Sequence, residues 1–196
     1  MKKLVLLFTV LIASISYSNA QEKGQFILGG SLLISTSSLD FSQSGETIYE
    51  EKSNAIRISP TVGLMVSDKT AVGLSLAYEK SNIEEGRDQS FESKNLAIFG
   101  FLRTHQKISE RFTSYVEPYF GKEINLEDED IKLPFQLGSN VGILYFLSPQ
   151  LSLEATLLSL NYSTLVEKED DTKLSVNEFT FGFLLDNPVI GLKYYF

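Results

Sequence analysis

The sequence contains no cysteine and no tryptophan, and His105 is its only histidine. Without cysteine there is neither a disulfide framework nor a lipid-anchored N-terminus. Nucleophilic catalysis of the Ser-His type would have to run through that one imidazole. Clustered metal ligands, a phosphate-cradling glycine loop and a His-Glu-x-x-His helix are all missing from the sequence pattern. Basic residues are scarce, 17 Lys and Arg against 25 Asp and Glu for a net charge of −8. Neutralising nucleic-acid phosphates needs clustered Lys and Arg, so a nucleic-acid partner is excluded. Beyond the first twenty residues no stretch offers the ~18 uninterrupted apolar residues of a membrane-spanning helix.

What is present begins with a leader. Lys2 and Lys3 precede the apolar run Leu4 to Ile15, and the polar Ser16-Tyr17-Ser18-Asn19-Ala20 places small residues three and one before a cut after Ala20. Residues 1–20 therefore read as a secretory signal peptide. Its removal leaves residues 21–196 as one domain, with 15 basic side chains against 25 acidic ones.

Along that domain apolar residues recur at every second position rather than with helical spacing. Ile56, Ile58, Pro60, Val62, Leu64 and Val66 alternate with Arg57, Ser59, Thr61, Gly63 and Met65. Two faces of opposite chemistry mean a strand. The pattern predicts eight strands, near 24–35, 54–66, 70–81, 94–105, 112–122, 133–147, 151–162 and 176–196. Each is longer than the usual ~5 to 6 residues and suits a tilted membrane crossing of about 9 to 11. Connections alternate short (67–69, 106–111, 148–150) with long (36–53, 82–93, 123–132, 163–175), as in outer-membrane barrels with short periplasmic turns and long external loops.

The chemistry of the two faces decides which one meets lipid. A soluble barrel would show water a face of Lys, Glu, Asp and Thr, whereas here the polar parity is mostly Gly, Ser, Ala and Thr. Small residues fit the narrow interior of an eight-stranded barrel. On the apolar parity, aromatics gather near strand ends: Phe26, Phe112, Tyr145, Tyr194 and Phe196 at one end, Tyr78, Phe120, Phe135 and Phe179 at the other. Two aromatic girdles around an aliphatic band are a transmembrane arrangement. The expected fold is thus all-β, an eight-stranded antiparallel up-and-down transmembrane β-barrel, monomeric, with no appended domain.

Three segments carry a family resemblance: the terminal Gly191-Leu192-Lys193-Tyr194-Tyr195-Phe196, the turn Val66-Ser67-Asp68-Lys69-Thr70, and Leu144 to Glu154 around Ser148-Pro149-Gln150. On these the chain resembles the outer membrane protein β-barrel domain family, whose small, loosely porin-like members are similar to OmpX and the barrel half of OmpA. The resemblance implies an integral protein of a Gram-negative outer membrane, surrounded by outer-membrane lipid and lipopolysaccharide, whose loops set its role. It also implies that Ile190, Leu192, Tyr194 and Phe196 form the terminal signal read by the barrel assembly machinery.

Candidate sites follow from parity. The interior face carries Arg57, Glu79, Arg103, Glu117, Glu154 and Lys193, three charges of each sign. Pairing Val66 with Thr70 and counting back sets Arg57 opposite Glu79; Arg103 falls within about one pair of Glu117, and Glu154 and Lys193 meet near the periplasm. Such pairs are expected to plug the lumen. In the last strand the apolar parity switches from odd (Phe179, Phe181, Phe183, Leu185) to even (Pro188, Ile190, Leu192), which predicts a β-bulge at Asp186-Asn187. His105 is expected at the interface beside the turn 106–111. Acids crowd every long connection (Asp40, Glu46, Glu50, Glu51; Glu84, Glu85, Asp88, Glu92; Glu127 to Asp130; Glu167, Glu169, Asp170, Asp171), giving solvated loops that could meet a surface ligand or divalent cations. Neither a catalytic residue, a resident metal nor a cofactor is expected. The functional expectation is a structural or surface-interaction role, with a narrow porin-like channel as the alternative and a lipid-modifying enzyme behind it.

Overall fold

Alternating side chains on extended backbone make strands, and strands in lipid must close on themselves to satisfy their N–H and C=O groups. The computed structural model describes residues 21–43, 46–85, 89–126, 134–169, 172–184 and 189–196. Nine antiparallel segments form one sheet: β1 (Phe26–Gln43), β2 (Glu46–Ser67), β3 (Thr70–Glu85), β4 (Gln89–Lys107), β5 (Phe112–Asn125), β6 (Phe135–Phe146), β7 (Leu151–Glu169), β8 (Thr172–Phe183) and β9 (Val189–Tyr195). Each of β1 to β7 pairs with the next, and β9 returns to pair with both β7 and β1. Segments β8 and β9 together make the eighth stave of a closed eight-stranded up-and-down barrel. The short connections and the described residues at both chain ends gather at one rim, the turn end; the opposite rim is the loop end.

The strands run well past their expected limits at the loop end. β1 and β2 reach Gln43 and Glu46, so of the predicted connection 36–53 only residues 44–45 lie outside them. The other predicted connections 82–93 and 163–175 shrink likewise to 86–88 and 170–171. The physical reason is that polar residues such as Thr36, Ser38, Lys52 and Asn54 pair across β1 and β2 as well as apolar ones do once the ladder below them is set. At the turn end, Ser67 rather than Val66 pairs with Thr70, with a register shift between Met65 and Ser67. The turn is therefore the two residues 68–69, and the bulge preserves the register above it.

The eighth stave is made of two segments, β8 and β9. Phe183 lies opposite Leu158 and Val189 opposite Thr156, so the pairing of β7 passes from β8 to β9 across Leu157. Asp186 and Asn187 themselves lie outside the described residues. The parity switch across this step is matched in β7, where the ladder to β6 shifts between Val141 and Gly142, opposite Leu158 and Thr156. Leu157 is the extra residue: Glu154 and Thr156 face inward below it, Ser159 and Ser163 above it. Its carbonyl accepts the Leu184 N–H at 2.8 Å.

Inside and outside are inverted relative to a soluble protein. Outward-facing Phe26, Ile58, Leu74, Leu137 and Ile190 are all more than half exposed, whereas the buried set includes Thr61, Thr113, Ser152, Thr156, Arg103 and Lys193. An apolar belt of this extent on a water-soluble monomer would be an aggregation surface; against acyl chains it is the stabilising contact. Aromatic pairs mark the turn-end girdle, with Phe26 stacked on Phe196 at 6.1 Å and Phe112 tilted against Tyr145 at 4.9 Å between ring centres. Inside, tyrosine side chains lie close against the wall where glycine leaves room. A Cβ on Gly138 would stand 2.4 Å from Tyr119 Cζ, and one on Gly142 2.6 Å from Tyr115 Cζ.

Candidate functional site

The lumen is layered. At the turn end Met65, Tyr115, Leu144, Phe146 and Tyr195 form a buried apolar floor with Ile27 and Ala71. Parity supplies it: these residues occupy the inward, mostly polar face. His105 belongs to this layer and is 3% exposed, with no hydrogen-bond partner for either ring nitrogen among the described residues. It is therefore not the interfacial histidine expected from its nearness to the turn.

Above the floor lies an ionic layer. Arg103 on β4 donates from Nε to Glu117 Oε2 at 2.6 Å, Nη2 lies 2.6 Å from the same oxygen, and Nη1 donates to Glu154 Oε2. Lys193 Nζ stands 3.9 Å from Glu154 Oε1. The sequence-based picture of two separate pairs gives way to one cluster in which Glu154 is shared, with Arg103 as its nearer partner. Arg103 also lies over the Tyr115 ring, 4.1 Å from its centre, and the Tyr115 hydroxyl is 2.8 Å from Thr156 Oγ1. Guanidinium, two carboxylates and ring thus hold one another across the barrel between β4, β5 and β7, an arrangement that costs desolvation and rewards complete pairing.

A second polar layer lies nearer the loop end. Arg57 and Glu79 are direct cross-strand partners, with Nε donating to Oε2 at 2.7 Å. Glu123, which the sequence reading left out, joins them at 3.8 Å from Arg57 Nη2 and accepts a bond from Gln136 Nε2 at 2.9 Å. Parity alone could have found Glu123, since it shares the inward face of β5 with Glu117. Between the layers is a cavity of about 280 Å³, lined by hydroxyl and amide side chains including Ser59, Thr61, Ser75, Asn140 and Ser159.

No family profile matches the sequence, and no curated protein does. Among solved structures, the outer membrane protein OprG from Pseudomonas aeruginosa superposes with a TM-score of 0.55 at 16% identity, over 90% of this chain and 98% of that one. Neisserial surface protein A aligns at 17% identity over 89% of this chain and 98% of that one, with a TM-score of 0.44. At such identities the likeness to OprG is one of fold.

The residues expected to form the terminal signal lie on the lipid-facing side of β9 and just after it. Ile190, Leu192 and Phe196 are 55%, 47% and 45% exposed, and Phe196 exchanges two backbone hydrogen bonds with Phe26. At the loop end, Lys80 and Lys94 are direct cross-strand partners whose repulsion is relieved by Glu92, 2.6 and 2.5 Å from their ammonium groups. Hydrogen bonds from these two lysines hold the Glu92 carboxyl down to about 2. Glu127 to Asp130, Asp88, Asp170 and Asp171 lie outside the described residues, and among the described residues no group of three or more acids or histidines is placed to hold a metal ion.

Proposed function

We propose that the protein is an integral outer-membrane barrel with a plugged lumen, serving as a structural or surface-interaction component rather than as a channel or an enzyme. The observation that carries this reading is the ionic layer set directly on the apolar floor. Arg103, Glu117, Glu154 and Lys193 have side chains 5%, 12%, 5% and 3% exposed, and Met65, Tyr115, Leu144 and Tyr195 beneath them are at most 1% exposed. A solute crossing the barrel would have to part both layers. Two aromatic girdles on an apolar exterior support a membrane position, and the short turns support placing the turn end in the periplasm. On that reading residues 1–20 are the export signal and Ile190, Leu192, Tyr194 and Phe196 engage the barrel assembly machinery. The monomer then sits among outer-membrane lipid and lipopolysaccharide, with its acidic rim available to a surface ligand. His105, sealed into the floor far from the outer leaflet, supports a packing role.

The test is single-channel recording on refolded protein in planar bilayers. The reading expects no steady conductance in the wild type. A large, stable conductance would overturn it in favour of a narrow channel.

A further inference from the structure

Beyond the apolar belt the chemistry of the two faces reverses. At the loop end of β3 and β4 the outward positions are Asn82, Glu84, Ser90 and Glu92, while the inward Ile83 and Phe91, direct cross-strand partners, are apolar. On β7 and β8 the outward pair is Thr164 and Asn177, and the inward pair is Leu165 and Val176. On β1, Thr36 and Ser38 are outward and Leu39 is inward. The assignment follows from buried or lumen-lining residues lower on the same staves, Leu33, Ala77, Ala97 and Ser163, with unbroken pairing between them and the loop end. Polar outside and apolar inside is the pattern of a sheet standing in water, whose apolar face wants cover. Yet Leu39, Ile83, Phe91 and Val176 are 59%, 38%, 56% and 49% exposed. Exposed apolar side chains gathered at one opening mark an interaction site.

The wall below this collar sets the charge of what it takes. Glu178, two residues from Val176 toward the turn end, lies opposite Ser163, and Ser163 lies opposite Gln136, which donates to Glu123 at 2.9 Å. Glu123 stands 3.8 Å from Arg57, whose nearer partner is Glu79 at 2.7 Å. Among the described residues this inward ring sets one guanidinium against three carboxylates, a net charge of −2. A cation is drawn to such a ring and an anion repelled. Apolar above and negative below is the complement of a Lys or Arg side chain, an apolar stem with a charged tip. Four exposed apolar side chains on four staves are more than one such stem covers, so the fitting occupant carries apolar side chains beside its cation. The outward residues at this level are polar, so the occupant arrives from water rather than from lipid.

We propose that the loop-end mouth of the barrel docks a basic segment of a partner protein, its apolar side chains against Leu39, Ile83, Phe91 and Val176 and a Lys or Arg side chain reaching toward Glu79, Glu123 and Glu178. The inference rests on the surface-interaction reading above and adds to it the chemistry of the partner. Peptide binding and conductance separate the two: a lumen that blocks current but ignores the peptide sinks the docking alone.

The absence of tryptophan gives a clean reporter, since Phe91→Trp places a single indole in the collar. In phosphatidylcholine nanodiscs, which leave both rims open to solution, the peptide Lys-Leu-Lys-Phe-Lys should shift its emission to the blue saturably, and added salt should weaken the effect. Adding Ile83→Ser with Val176→Ser should weaken binding about tenfold, and Glu178→Gln about threefold. Asn82→Ser, outward at the same level, should leave it unchanged, with retained gel-mobility shift showing that each variant is folded. The peptide Lys-Ser-Lys-Ser-Lys should bind about tenfold more weakly, and Glu-Leu-Glu-Phe-Glu should not bind. An indole already shielded from water and indifferent to the peptide would show that the protein's own connections fill the mouth, and would overturn the proposal. Equal binding of the serine peptide, binding indifferent to Ile83 and Val176, a tighter response to decanol than to the peptide, or no saturable shift would each overturn it as well.

Discussion

Arg103→Met removes the cation on which two buried carboxylates converge. In the wild type the layer is neutral, Arg103 and Lys193 against Glu117 and Glu154. The substitution leaves it one charge negative, with Glu154 facing Lys193 across 3.9 Å and Glu117 without an ion-pair partner among the described residues. Breaking a buried ion cluster by removing one member costs about 3 to 5 kcal/mol, because the desolvated partner stays behind. Methionine keeps most of the stem volume, so little of that cost is a cavity. Urea unfolding of protein folded into vesicles, followed by circular dichroism and by the gel shift of the folded form, measures the difference. Adding Glu117→Gln returns the layer to zero charge with Glu154 and Lys193 still facing each other. The double variant should therefore recover a substantial part of the loss, by a coupling of about 1 to 3 kcal/mol. A loss below about 1 kcal/mol for Arg103→Met, or a double variant at the sum of the two singles, would refute the reasoning that the layer acts as one unit.

Arg57→Ala and Glu79→Ala, partners at 2.7 Å in a less enclosed setting, should couple by about 1 kcal/mol in a double-mutant cycle of unfolding, and strict additivity would dissolve the pair. Deleting Phe196, or changing Tyr194 and Phe196 to Ser, removes the ring stacked on Phe26 and should leave unassembled protein in the periplasm; normal yields of heat-modifiable membrane protein would contradict this. Glu92, held at about 2 by Lys80 and Lys94, sits below its unfolded value. Its contribution is thus present above the ordinary carboxylate range and lost as pH falls toward 2. Glu92→Gln should flatten the acid limb of stability of the β3–β4 hairpin followed by hydrogen exchange, and an unchanged limb would show that the bridge does not hold the rim.

Period-two alternation carried most of the fold because it is a local signal: each residue from Ile56 to Val66 declares its face without reference to any other. Register was legible where a turn was short enough to count from. The sequence reading places Arg57 opposite Glu79 although it mistakes the turn by one residue, because the bulge at Val66 absorbs the error. What local pattern could not show is contact across the lumen. Arg103 and Glu154 are 51 residues apart on staves that are not neighbours, and only the barrel's radius brings them together. The extra residue at Leu157 was hidden for a different reason. Leu157 and Leu158 are both apolar, so the change of parity in β7 leaves no mark on the pattern, whereas in the eighth stave the alternating phenylalanines betray it. The extended strand ends were missed because Thr36, Ser38, Lys52 and Asn54 read as loop chemistry, yet a ladder once nucleated tolerates polar residues on both faces.

Those extended ends give the protein height. From Ile34, the last outward apolar residue of β1, the paired hairpin continues to Gln43. At about 3.3 Å per residue and a tilt near 40°, that lifts backbone roughly 20 Å clear of the apolar belt. A binding surface carried on such a mast is held at a fixed distance and orientation by hydrogen-bonded sheet. Much of the ordering entropy that a slack loop surrenders on contact has then already been lost during folding. Among the described residues, it is the paired wall of the barrel that carries this reach.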